Sequence, residues 1–206
     1  MLVNKFQAVD TDLLDPISHM DLQVSIIDIE TSLRRHKDLR IWERAPYWYL
    51  ERLGGAFSDL MTRKFATVEE RARQLLSRLE KTPAYLVAAQ NNLTDQVPPL
   101  YVDMGLTAVK GLQQFLMEAV PGFAAQSVDT LEADVLRAAT RIQTELDDFA
   151  TYLQNLRGQA SGHFACGPDH FDFLLREFHL VDFDHKSLHE FGLEMMSADK
   201  KRIEAY

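Results

Sequence analysis

Apolar residues recur every three or four positions through nearly the whole chain, and no stretch alternates apolar with polar residues over the length of a strand. The pattern therefore predicts an all-α protein. Leu22, Ile26, Ile29 and Leu33 mark a first amphipathic helix from Asp21, with Arg34, Arg35 and Lys37 placed where cations suit a helix C-terminus. The aromatic patch Trp42, Tyr47, Trp48 and Tyr49 surrounds Pro46, which suits the first turn of a helix reaching Leu60 and Met61. Gly54 and Gly55 weaken that helix by roughly 1 kcal/mol each relative to alanine, and such a pair marks a kink or a close helix crossing.

Thr67 and Glu70 have the spacing of a capping box ahead of Leu75, Leu76 and Leu79. Thr82 and Pro83 read as the cap and first residue of a new helix through Tyr85, Leu86, Ala89 and Leu93. Pro98 and Pro99 open the next, whose stripe runs from Leu100 through Met104, Leu112 and Leu116 until Pro121 and Gly122 end it. The longest element covers about 127–156, where Leu131, Val135, Ala138, Ile142, Leu146, Phe149, Leu153 and Leu156 step without interruption. At 1.5 Å per residue it is a strut about 45 Å long. A loop over 158–167 follows, then a short helix from Pro168, then a last helix capped by Ser187. The last helix carries Leu188, Phe191, Met195, Ile203 and Tyr206 on an apolar face that no glycine, proline or polar tail closes. The expected fold is a multi-helix, bundle-like domain over 1–206 with one long central helix. The open terminal face suggests a fragment, or one part of a two-piece assembly.

Length permits one substantial core, or two small helical lobes, without disulfides or metal. Composition narrows the partners. The chain has 22 basic and 31 acidic residues, a net charge of −9, which argues against nucleic acid, because a phosphate backbone must be met by clustered cations. Cys166 is the single cysteine, so an internal disulfide is impossible and a reducing, cytoplasmic setting is the simpler expectation. No apolar run approaches the length of a membrane span, and the first residues lack the apolar core of a leader.

Candidate chemistry concentrates between Gly158 and Gly192, where His163, His170, His179, His185 and His189 stand among acids, aromatics and Cys166. A zinc peptidase helix needs two histidines at i and i+4 with a glutamate between them. His189 and Glu190 begin that pattern and Leu193 breaks it, while the spacing from His185 to His189 straddles the expected Ser187 cap. Cys166 with His163 or His170 has no geometry fixed by sequence, and a small thiol between Ala165 and Gly167 is ordinarily inert packing. No catalytic residue and no metal ligand is assigned.

Two stretches carry a resemblance. One is PYWYLERLGGAFSDL with RARQLLSRLEKTPAYLVAAQNNLTDQVPPLYVDMGLTAVKGLQQFL; the other is GHFACGPDHFDFLLREFHLVDFDHKSLHEFG, through Gly162, Phe164, Gly167, Phe171, Leu174, Leu175, His179, Ser187, Leu188 and Gly192. Together they resemble the N-terminal half of the bacterial domain-of-unknown-function eight-eight-five family, which is similar to helical zinc metallopeptidases. That family's presumed catalytic element, a His-Glu pair followed by Pro-Gly-His-His, is not reproduced in this chain. The resemblance implies a scaffold and cleft wall of a hydrolase, inactive alone, with zinc only in a missing or separate catalytic part. The terminal helix would meet that part or a second copy. The alternative is a stand-alone helical interaction or ligand-binding protein derived from the same scaffold.

Overall fold

A computed structural model describes residues 2–205; Tyr206, placed by sequence on the terminal apolar face, lies outside the described residues. In chain order the helices are α1 (Leu2–Gln7), α2 (Pro16–Lys37), α3 (Ile41–Arg44), α4 (Pro46–Thr62), α5 (Val68–Asn92), α6 (Pro99–Ala124), α7 (Asp129–Arg157), α8 (Pro168–Phe173) and α9 (His185–Glu204). A π turn, Leu174–Phe178, continues α8, and no strand occurs among the described residues. The fold is all-α, as the 3.6-residue period requires. The chain forms two compact units, one of residues 1–40 and 165–206, the other of 41–164, and each is described by itself.

The unit of residues 41–164 is a bundle in which α4 packs on α5 and α6, and α7 packs on α5 and α6. Its core is continuous: Tyr49, Leu53, Phe57 and Leu60 of α4 meet Leu75, Leu79 and Leu86 of α5 and Val109, Leu112 and Leu116 of α6. The long helix α7 buries Leu131, Val135, Ala139, Ile142, Leu146, Phe149 and Leu153, one seam along its 29 residues. Gly105 of α6 lets the chain approach Pro46 and Leu153, because a Cβ there would stand 3.2 Å and 3.1 Å from their carbons. The C-terminal carbonyls of α4 are closed from outside the helix, with buried Arg71 donating to Leu60 O at 2.9 Å and Met61 O at 3.0 Å. At the other end of α5's first turn the expected capping box is present, Glu70 N donating to Thr67 Oγ1 and Thr67 N to the Glu70 carboxylate.

Two expected breaks are absent. Helix α5 runs through Thr82 and Pro83, and α6 runs through Pro121 and Gly122. An interior proline costs about 3 kcal/mol, whereas each large apolar side chain buried beyond it returns roughly 1.5–3 kcal/mol. Leu86 and Ala89 follow Pro83 into the core, and Phe123 and Ala124 follow Pro121. Thr82 acts inside the helix, its hydroxyl donating to the Arg78 carbonyl at 2.9 Å. Two glycines of the 158–167 loop serve different purposes. Gly167 has φ +84°, but Gly162 has no positive φ and is required for contact: a Cβ there would lie 1.8 Å from the Gln96 carbonyl oxygen. The 161–162 segment is laid against the 95–97 loop by Ser161 N donating to Asp95 O at 3.0 Å and Gly162 N to Val97 O at 3.3 Å.

In the other unit the core is thin. Among the described residues its buried apolar side chains are Val3, Phe173 and Leu175. Neither the 22-residue α2 nor the 20-residue α9 buries an apolar side chain, although α2 turns the stripe Leu22, Ile26, Ile29 and Leu33 half inward.

Candidate functional site

The histidine-rich stretch does not close on itself. His163 lies in an exposed loop of the bundle unit, its carbonyl accepting a hydrogen bond from Arg44, whereas Cys166, His170, His179, His185 and His189 belong to the thin unit. Cys166 Sγ faces its own neighbour, 3.6 Å from the Gly167 carbonyl, and forms no hydrogen bond to a histidine among the described residues. His179 and His189 are exposed.

The contact the sequence did not suggest joins Asp172 of α8 to His185, the first residue of α9. Asp172 accepts the His185 backbone N–H at 2.6 Å and faces the ring Nδ1 at 3.0 Å from both carboxylate oxygens. Beside it, Asp184 caps α9 by accepting from Lys186 N at 3.0 Å and Ser187 N at 2.8 Å. The α9 cap is therefore Asp184, with Ser187 as the third residue of the capping box. His185 and His189 consequently share one helix, contrary to the sequence expectation that a cap separates them. Three N–H groups at the start of α9 are satisfied by two carboxylates, which also suits the positive end of the helix dipole. No spacing rule would have found this pair, since its members are thirteen residues apart across the π turn.

Hydrogen bonding sets the charge states here. Burial works to raise the Asp172 carboxyl, but the side-chain and backbone hydrogen bonds of His185 outweigh it and leave the pKa lowered. The backbone N–H and hydroxyl of Ser187 lower that of Asp184. A carboxylate oriented on Nδ1 leaves Nε2 of an imidazole outward, an arrangement that can take up a proton or support a ligand. The Ser187 hydroxyl is engaged with Asp184 at 2.9 Å, and the polar cavity of about 300 Å³ beside α8 is lined by Arg34, Asp169, Asp172, Arg176, Glu177 and Phe173, without a nucleophile.

Among the described residues no group of three or more His, Cys, Asp or Glu side chains is disposed to share a metal ion. The chemistry of the Asp172–His185 pair is that of a tie between α8 and α9.

His170 is a second perturbed group. It is only 7% exposed, its Nδ1 has no hydrogen-bond partner among the described residues, and burial followed by the charge of Arg34 lowers its pKa from 6.5. Arg34 itself lies 3.9 Å over the Phe173 ring. A histidine held neutral in the folded state and free to protonate when unfolded stabilises the fold above its unfolded pKa of 6.5; that contribution is lost as pH falls through the lowered folded value. The melting temperature should fall between pH 7.5 and pH 5.5 and fall less in His170→Gln. Equal falls in both proteins would show that His170 is not the group responsible.

What fold and site define is an all-α chain of two units, a helical bundle and a thinly cored unit that bears the Asp172–His185 pair. The chain belongs to the family described as "Bacterial protein of unknown function (DUF885)", whose model matches residues 2–206. It is similar in fold to the solved structure of "a putative lipoprotein of unknown function from Shewanella oneidensis", at 18% identity and a TM-score of 0.79. That likeness covers 98% of this chain and 37% of the other, so this chain spans little more than a third of that protein's length. No curated protein matches it. No described helix is long and apolar enough to cross a membrane.

Proposed function

We propose that the chain is the N-terminal helical scaffold of a larger metallopeptidase-like hydrolase, forming one wall of its cleft and carrying neither the zinc nor the catalytic element. The observation that carries this reading is the uncovered apolar surface of the thin unit. On α2, Ile17, Met20 and Val24 lie at helical spacing and are 73%, 67% and 60% exposed; on α9, Phe191, Leu193, Met195, Met196 and Ile203 are exposed as well. A unit with three buried apolar residues does not stabilise two such helices by itself, and apolar stripes of this kind are ordinarily interfaces. Support for the occupant comes from the related fold, most of whose chain has no counterpart here. The catalytic part is the piece that would cover these faces.

The test uses the polypeptide segment from the same genome that carries the His-Glu and Pro-Gly-His-His elements. Mixed with the 206-residue chain, it should sediment as one complex, and Met195→Asp combined with Ile203→Asp should prevent this while leaving the helical circular dichroism unchanged. Separate sedimentation of the two wild-type polypeptides would refute the proposal, as would an Asp variant that assembles normally.

A further inference from the structure

Between α4 and α5 of the bundle unit lies an open cavity of about 330 Å³ with an apolar floor of Leu53, Phe57 and Tyr85 and a rim of three cations, Arg52, Arg78 and Lys81. We propose that this groove binds a small amphipathic carboxylate, its apolar body on the floor and its anionic head among the three cations. The inference does not depend on the hydrolase reading.

Charge is the first argument. No Asp or Glu lines the cavity, although acids outnumber bases by 31 to 22 in the chain. Converging like charges repel, so a cluster of cations with no carboxylate in the cavity lining is a place where an anion relieves strain in the local field. Among the described residues none of the three forms an ion pair, so the positive charge is not already neutralised.

Placement is the second. Two of the cations are held in position by contacts that leave their charge intact: Arg78 donates to the Ala56 carbonyl across the groove, and the Arg52 guanidinium sits 4.6 Å over the Trp48 ring. Lys81, one turn from Arg78 on the same face of α5, is exposed, and its flexible four-carbon stem can reach a head group. The floor selects among anions. An inorganic ion would leave the half-buried Tyr85 ring and the alkyl stems of Arg52, Arg78 and Lys81 in water, whereas an acyl or aryl body covers them. Tyr85 is fixed for that role, its ring packed edge-on against Tyr49 at 5.7 Å.

Titration calorimetry with octanoate tests this directly, using 1-octanol, acetate and octyltrimethylammonium as comparisons that lack the charge, lack the tail or reverse the charge. Octanoate should bind one per chain. Each comparison compound should bind at least about tenfold more weakly, the difference a single well-placed charged contact or a short apolar tail supplies. Lys81→Glu with Arg52→Glu, both at exposed positions, should weaken octanoate by about tenfold or more with unchanged circular dichroism. Octanol binding as tightly as octanoate, undiminished binding by the double variant, or binding to phosphatidylglycerol vesicles with none to octanoate would each overturn the proposal.

Discussion

Gly162→Val should lower the stability of the bundle unit by at least about 3 kcal/mol, at or beyond the upper end of what overpacking ordinarily costs. The reason is contact with backbone, which cannot rotate away. A Cβ at residue 162 would overlap the Gln96 carbonyl oxygen at 1.8 Å and its carbon at 2.6 Å, so the 95–98 loop or the 161–162 segment must move. Moving either breaks the Ser161 and Gly162 hydrogen bonds to that loop and disturbs Val97, which is fully buried. Two other glycines serve as controls. Gly55→Ala meets nothing within 4 Å in the middle of α4 and should gain roughly 0.5–1 kcal/mol. Gly167→Ala meets no atom but inherits φ +84° and ψ 159°, a region essentially reserved for glycine, and should lose about 1–3 kcal/mol. Urea midpoints for the three variants give the order; a Gly162→Val protein as stable as wild type would show that the loop contact is not what holds this segment.

Arg71→Met should cost about 1–3 kcal/mol, the loss expected when buried carbonyl acceptors are stranded without their donor. Arg71 is 6% exposed, donates to the carbonyls of Leu60 and Met61 in the last turn of α4, and lies 5.2 Å from the centre of the Phe123 ring. Methionine matches much of its length, so packing is largely retained while two orphan carbonyls lose their donor. Arg71→Lys should recover part of the loss, because both bonds come from the single Nη1, which an ammonium on a shorter stem can replace only in part. If Arg71→Met melts with wild type, the α4 terminus is satisfied by other means.

These sites show what was legible in the sequence. Helix starts were readable where the signal is local: Pro46, Pro99 and Pro168 each sit at a helix's first position, and the Thr67 box lies within four residues. The long helix was readable because its seam is uninterrupted, and its observed span, Asp129–Arg157, departs from the expected 127–156 by no more than two residues at either end. Prolines 83 and 121 were misread because the decision to continue belongs to distant helices that bury Leu86 and Phe123. Asp184 was passed over for Ser187, since both can cap and only the Asp172–His185 contact fixes where α9 begins. Arg71 and the groove cations were invisible for the same reason. Arg52 and Arg78 are 26 residues apart, on helices whose facing sides only packing determines. Family membership was legible in the same way, and the scaffold role we propose builds on it.

The measurement that bears most directly on that proposal is hydrolysis of an unstructured protein such as casein by the isolated 206-residue chain in the presence of excess zinc, repeated after addition of the polypeptide bearing the His-Glu and Pro-Gly-His-His elements. The account predicts no hydrolysis above buffer by the chain alone and zinc-dependent hydrolysis by the assembly, diminished by Met195→Asp with Ile203→Asp. Hydrolysis by the isolated chain, abolished in His185→Ala, would contradict it.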